Sequence, residues 1–100
     1  MIDKETAYQL ALDSLQPPNL ELRERGDSLV IVEHATLEKE YGWIFFYNSR
    51  KYLETKNERY LLYGGGPIVV EKADGSIHEL GSAGGAKYQI ELYEAQRKKP

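Results

Sequence analysis

The 100-residue chain contains no cysteine, so neither a disulfide nor a thiolate metal site can help hold it together. It has only two histidines, His34 and His78, and neither has a second His, Asp or Glu at a recognisable metal spacing. Long apolar runs are also missing, and nothing approaches the ~20 residues that a membrane helix needs. The opening Met1-Ile2-Asp3-Lys4-Glu5 carries charge where a secretory signal would begin its apolar stretch. Positive charge is not in excess: thirteen Lys and Arg stand against sixteen Asp and Glu, a net charge of −3. Nucleic acid rewards a basic face, so it is not the expected partner. Together these absences predict a cytoplasmic protein without membrane, nucleic acid, metal or cofactor.

What is present is an ordinary globular composition, 41% hydrophobic and 29% charged. A chain this short buries roughly 60–70% of its unfolded surface. One domain over residues 1–100 with one modest core is therefore expected. Eight tyrosines are the unusual total. Tyrosine offers rigid area and a polar tip at low entropic cost, which suits binding surfaces. It suits half-buried strands equally well.

Residues 3–16 read as a helix. Asp3 is a candidate N-cap and Glu5 suits the positive first turn. Ala7, Leu10, Ala11, Ser14 and Leu15 form one narrow apolar stripe, and Pro17-Pro18 stops the helix. The small alanines suggest close packing on a sheet. Leu20 and Leu22 then alternate with polar residues as a short strand ending at Gly26-Asp27. Leu29 to Val32 is a β-branched run continuing weakly to Thr36, and Lys39 to Gly42 is a break. Trp43 to Asn48, the most apolar stretch, predicts a central strand covered on both faces. Asn48 to Glu58 is a polar connection with a helical turn at Arg50 to Glu54.

Tyr60 to Tyr63 and Ile68 to Lys72 read as strands separated by Gly64-Gly65-Gly66-Pro67. Asp74-Gly75 is the strongest hairpin signal, with Ser76 to Leu80 as the returning strand. Gly81 to Gly85 is a loop, which either starts the last helix or precedes a strand. A second helix begins at Ala86 and frays into Arg97-Lys98-Lys99-Pro100. The expected fold class is α+β: an N-terminal helix on an antiparallel meander of about four strands, with a C-terminal helix. One helical layer on such a sheet makes a complete two-layer domain.

Catalytic chemistry finds no foothold. Ser82 in Gly81-Ser82-Ala83-Gly84-Gly85 lacks the Gly-x-Ser-x-Gly pattern and its strand-to-helix setting. Gly64-Gly65-Gly66 lacks the Lys-Ser/Thr of a phosphate loop. His34 beside Glu33 and His78 beside Glu79 alternate across strands and point apart. Nothing near Glu38 and Glu40, or Glu91 and Glu94, would split two carboxylate pKa values for acid–base work. Neither catalytic nor metal-binding residues are expected.

From Gly42 the pattern becomes specific. Gly42-Trp43-Ile44-Phe45-Phe46-Tyr47-Asn48-Ser49-Arg50-Lys51-Tyr52-Leu53, then Leu61-Leu62 and Gly64-Gly65-Gly66-Pro67-Ile68-Val69-Val70, then Asp74-Gly75-Ser76-Ile77-His78-Glu79-Leu80-Gly81, resembles the immunity protein 35 family, also called the YrhB domain. The likeness runs from the Ala7–Leu15 helix to Tyr93-Glu94, and departs from the pattern at Ser82 to Gly85. It implies a bacterial immunity protein that binds and neutralises the cognate toxin of a polymorphic toxin system, without catalysis of its own. A weaker likeness to peptidase-occluding PepSY and cystatin-like folds points to a papain-like peptidase as the toxin. Exposed aromatics and charges make Arg50, Tyr52, Tyr60 and Tyr63 candidate contacts, with a core role equally open to Tyr60 and Tyr63, which alternation places on opposite faces; Glu38 and Glu40 are candidates for steering a basic toxin face. The expected oligomeric state is a monomer or weak homodimer. The alternative is a chaperone-like or housekeeping module that holds apolar segments of several clients.

Overall fold

The fold is described from a computed structural model, which covers residues 1–15, 24, 26–60 and 66–97. Helix α1 (Lys4–Ser14) starts where Asp3 Oδ1 accepts the Thr6 N–H at 2.8 Å, the N-cap expected from sequence. Its stripe packs as the spacing predicts: Ala7 and Ala11 are fully buried and Leu15 nearly so. The absence of bulk at positions 7 and 11 is what lets the helix axis approach the sheet closely.

The main sheet has four antiparallel strands in the order β2 (Leu37–Lys39), β3 (Gly42–Phe45), β5 (Ile68–Glu71), β6 (Ile77–Glu79). Trp43 pairs with Val70, Ile44 with Val69 and Phe45 with Ile68. Because side chains alternate across a strand, Trp43, Phe45, Ile68 and Val70 face α1 and join Ala7, Ala11, Leu15 and Ile31 in the larger core cluster. Tyr8 meets Phe45 edge to face, with ring centroids 6.1 Å apart. Ile44 and Val69 face the other way and pack with Ile90 of helix α3 (Ala86–Arg97), flanked by Tyr41, Phe46, Leu80 and Tyr93. The four-stranded sheet is therefore covered on both faces, giving three layers instead of the two expected. All four residues of β3 and all four of β5 are buried in consequence.

Two glycines meet needs of the main sheet's geometry. A Cβ on Gly42 would sit 2.1 Å from the Val70 carbonyl oxygen, so only glycine permits the β3–β5 approach there. Gly75 takes φ +72° in the β5–β6 turn, as the Asp-Gly signal predicts. The indole N–H of Trp43 is buried and, among the described residues, has no hydrogen-bond partner, a penalty the surrounding apolar burial must offset.

The Trp43–Asn48 run does not stay in one sheet. The ladder breaks at Phe46, and β4 (Tyr47–Ser49) pairs instead with β1 (Leu29–Ile31) as a separate two-stranded sheet. The weak continuation to Thr36 is a 3₁₀ turn over Glu33–Ala35. Ser49 leads directly into helix α2 (Arg50–Thr55), the helical turn expected in the connection, and a 3₁₀ turn over Glu58–Tyr60 follows. Tyr60 thus begins no strand, and residues 61–63 of that expected strand lie outside the described residues, as do Leu20 and Leu22. The loop at 81–85 precedes the last helix, with Gly84 and Gly85 at positive φ.

Candidate functional site

The sequence-derived candidates divide between two ends of the molecule. Glu38 and Glu40 sit at the β2–β3 hairpin; Arg50, Tyr52 and Tyr60 sit at the α2 end; Tyr63 lies outside the described residues. Between them run β3, Phe46 and β4, a stretch of chain that spans up to about 26 Å when extended. The five described candidates thus sit on separate elements, Glu38 and Glu40 at the hairpin and Arg50, Tyr52 and Tyr60 on α2 and the 3₁₀ turn after it.

The α2 end is built on a buried carboxylate. Asp27 accepts the Ser49 hydroxyl at 2.7 Å on Oδ2, and on Oδ1 it accepts the backbone N–H groups of Ser28 at 2.8 Å and Lys51 at 3.0 Å. Ser49 Oγ in turn accepts the Tyr52 N–H at 3.0 Å as the N-cap of α2. Two otherwise orphaned donors of the helix are satisfied, and the negative charge sits at the positive end of its dipole. Arg50 is pinned from both sides: its guanidinium donates to Glu54 Oε1 and to the Gly26 carbonyl, each at 2.8 Å.

At the far end of α2, Lys56 adopts φ 58° and returns its N–H to the Tyr52 carbonyl. A left-handed lysine costs about 1–2 kcal/mol relative to a glycine, so the surrounding bonds must hold it. Thr55 Oγ1 donates to the Lys51 carbonyl and accepts the Asn57 N–H, and Asn57 Oδ1 accepts the Arg59 N–H at the start of the 3₁₀ turn. The Lys51 ammonium lies 5.5 Å from the Tyr60 ring centroid, and that of Lys56 lies 5.7 Å from the Tyr52 centroid. Neither α2 nor the 3₁₀ turn buries any side chain fully. This unit is ordered by hydrogen bonds, not by a core.

The hairpin end is built differently. Glu38 is opposite Trp43 in the ladder and pairs with Lys72 at 3.5 Å, while the Lys72 ammonium lies 5.1 Å from the Trp43 ring centroid. Glu40 is exposed in the turn and borders a cleft of about 290 Å³ with Tyr41, Glu94 and Arg97. Beneath it, Glu71 accepts Arg97 Nε at 2.8 Å and Nη2 at 2.7 Å, as well as the Tyr93 hydroxyl. The Arg97 guanidinium lies 4.3 Å from the Tyr41 centroid, and the Tyr41 hydroxyl donates to Glu94 at 2.9 Å. Arg97, expected to fray, is instead the residue that fastens the end of α3 to the sheet. Its hydrogen bonds hold the Glu71 carboxyl below the usual glutamate range, against the opposing effect of burial. Burial and the Glu71 carboxylate push the Tyr93 hydroxyl up to about 12.

The residues set aside as non-catalytic lie apart. His34 is exposed in a 3₁₀ turn and not on a strand. His78 is exposed on β6, its Nε2 3.1 Å from Ser76 Oγ and its ring 5.4 Å from that of Tyr93. Ser82 is exposed in the loop before α3. Among the described residues, no three His, Asp or Glu side chains are grouped so as to hold a metal ion, and no helix is long and apolar enough to cross a membrane. Sequence reading missed Asp27, Ser49, Glu71 and Arg97. Ser49 had a local signal, since a serine directly before a helical segment is a natural N-cap; Glu71 and Arg97 had none.

Comparison with known proteins adds the biological setting. The model of the family described as "Immunity protein 35" matches residues 7–95. The chain belongs to the immunity protein 35 family. An Escherichia coli (strain K12) protein described as "Uncharacterized protein YrhB" is 31% identical over 85 residues, covering 85% of this chain and 88% of that protein. No solved structure matches the chain. As its name states, the immunity protein 35 family consists of immunity proteins, whose general partner is a toxin. The match takes in most of α1, both sheets, α2 and most of α3, stopping short of Arg97, so the layered core and the α2 end belong to the shared unit.

Proposed function

We propose that this chain neutralises a cognate toxin by forming a one-to-one complex that covers the toxin's active site, with the α2 end as the contact surface. One observation carries the choice of surface. The unit from Ser49 to Tyr60 buries none of its helical or 3₁₀ side chains fully, yet successive backbone caps fix it and leave Arg50, Tyr52 and Tyr60 partly exposed. Preorganised Tyr and Arg are the side chains that most often dominate binding energy, because little entropy remains to be lost when they are covered. A standard interface takes about 800 Å² from each partner, so the adjoining β1–β4 sheet would share the contact with the α2 end.

The proposed mechanism is occlusion without turnover: the toxin's catalytic groups are left intact and substrate is excluded. The target class we favour is a papain-like peptidase, on the likeness to helix-and-meander folds that occlude such enzymes. The test is co-expression with the toxin encoded beside this gene. The intact chain should restore growth, and the Tyr52→Ala, Tyr60→Ala double variant should lose protection while remaining folded. Full protection by that variant would reject the surface, and a neighbouring toxin that stays active when saturated with the chain would reject the function.

A second reading, a chaperone-like or housekeeping binding module, draws on one feature. Leu37, Tyr88 and Leu92 are 39%, 50% and 40% exposed on β2 and α3, more apolar surface than this part of the fold requires. It predicts that a modest excess of the chain suppresses aggregation of unrelated proteins, whereas a clean complex with one toxin counts against it.

A further inference from the structure

We propose that the toxin face received by the α2 end is acidic, even though this chain is itself acidic overall; the inference rests on the α2 end being the contact surface. Residues 50–60 contain four cations, Arg50, Lys51, Lys56 and Arg59, against the two carboxylates Glu54 and Glu58. That segment carries +2, so with a net charge of −3 the rest of the chain sums to −5. Like the C-terminal stretch Arg97-Lys98-Lys99, this segment, ordered by caps, thus carries a positive sign within an acidic chain.

Within it the cations are not equivalent. Arg50 is consumed by Glu54 and the Gly26 carbonyl. Lys51 is half-buried against Tyr60. Lys56 and Arg59 are exposed and form no ion pair with any described residue. Lys56 is also held in a left-handed conformation that glycine would adopt at lower cost, with its ammonium beside the Tyr52 ring. Each tyrosine therefore has a positive charge over its ring, Lys56 above Tyr52 and Lys51 above Tyr60. A carboxylate of the partner placed there meets an ammonium while the rest of the ring covers apolar surface beside it. Across an interface such complementarity acts chiefly on the association rate, and salt screens it over about 10 Å at 0.1 M.

The test measures association and dissociation rates with the purified toxin domain encoded beside this gene, at low and high salt. Lys56→Glu with Arg59→Glu should slow association about tenfold at low salt and abolish most of its salt dependence. Glu38→Lys with Glu40→Lys at the opposite end should leave association unchanged or raise it. Thermal unfolding of each variant checks that the fold is kept. Charge reversal at 56 and 59 without effect on association, or slowing caused instead by reversal at 38 and 40, would overturn the inference. The tyrosine variants separate the two levels. If Tyr52→Ala and Tyr60→Ala speed dissociation while the charge reversals do nothing, the surface stands and the acidic partner falls. Where neither pair has an effect, both fall.

Discussion

Phe45 and Tyr52 stand seven positions apart on one run of chain, yet different forces hold them. Phe45 is fully buried between α1 and the facing strands. Tyr52 is half-buried on a helix that contributes no side chain to either core. The layered end gains from apolar burial, about 25 cal/mol per Å², which is non-directional and tolerates reshaping. The α2 end gains from directed hydrogen bonds worth about 1 kcal/mol each, which fix orientation more than they add stability. Under the proposed function, stability is placed in one region and recognition in the other.

That contrast can be broken by mutation, beginning with the largest effect. Phe45→Ala should cost about 3–5 kcal/mol in denaturant unfolding, whereas Tyr52→Ala should change stability by under about 1 kcal/mol. Equal losses at the two sites would erase the distinction. Gly42→Ala should cost about 3 kcal/mol or more, because its methyl group would meet the Val70 carbonyl and the β3–β5 pair cannot separate without losing the ladder.

The Arg97–Glu71 fastening supplies a smaller and pH-dependent contribution. The folded carboxyl titrates below its unfolded value, so its contribution is complete above the ordinary glutamate range and is lost as pH falls through the folded value. Glu71→Gln should lower stability at neutral pH by about 1–2 kcal/mol, since Arg97 remains partly exposed to water. The variant should also flatten the acid limb of the stability curve. Tyr93 works in the opposite sense: its raised value means that stability present below pH 10 is lost as pH climbs towards 12. Tyr93→Phe should therefore blunt the alkaline limb of thermal unfolding. The smallest effect belongs to Lys56→Gly, which relieves the left-handed strain and should stabilise the fold by up to about 1 kcal/mol while weakening toxin binding.

Much of the fold was legible because local signals matched their tertiary outcome. Asp3, the Ala7–Leu15 stripe and Asp74-Gly75 each act over a few residues, and each formed as its pattern predicts. The apolar run from Trp43 was legible as a doubly covered strand, but its split at Phe46 was not. Residues 47–49 leave β3's sheet to pair with β1, a choice between ladders that period-2 alternation does not encode. The C-terminal helix was expected, but that it covers the second face of the sheet was not, for a related reason. Only Ile90 of α3 is buried, so its amphipathic signal is weak, and its fastening joins Glu71 to Arg97 across 26 positions. Of the site, the residue types at the α2 end were legible, while the Asp27–Ser49 support that orients them depends on a contact 22 positions apart.

The most direct test of the account is amide hydrogen exchange on the complex of the chain with a toxin that it neutralises. Binding through the α2 end predicts new protection concentrated between Arg50 and Tyr60, with the strands Gly42–Phe45 and Ile68–Glu71 equally slow before and after. Protection confined to the Leu37–Tyr41 hairpin or to the Ala86–Arg97 helix, with residues 50–60 unchanged, would contradict it.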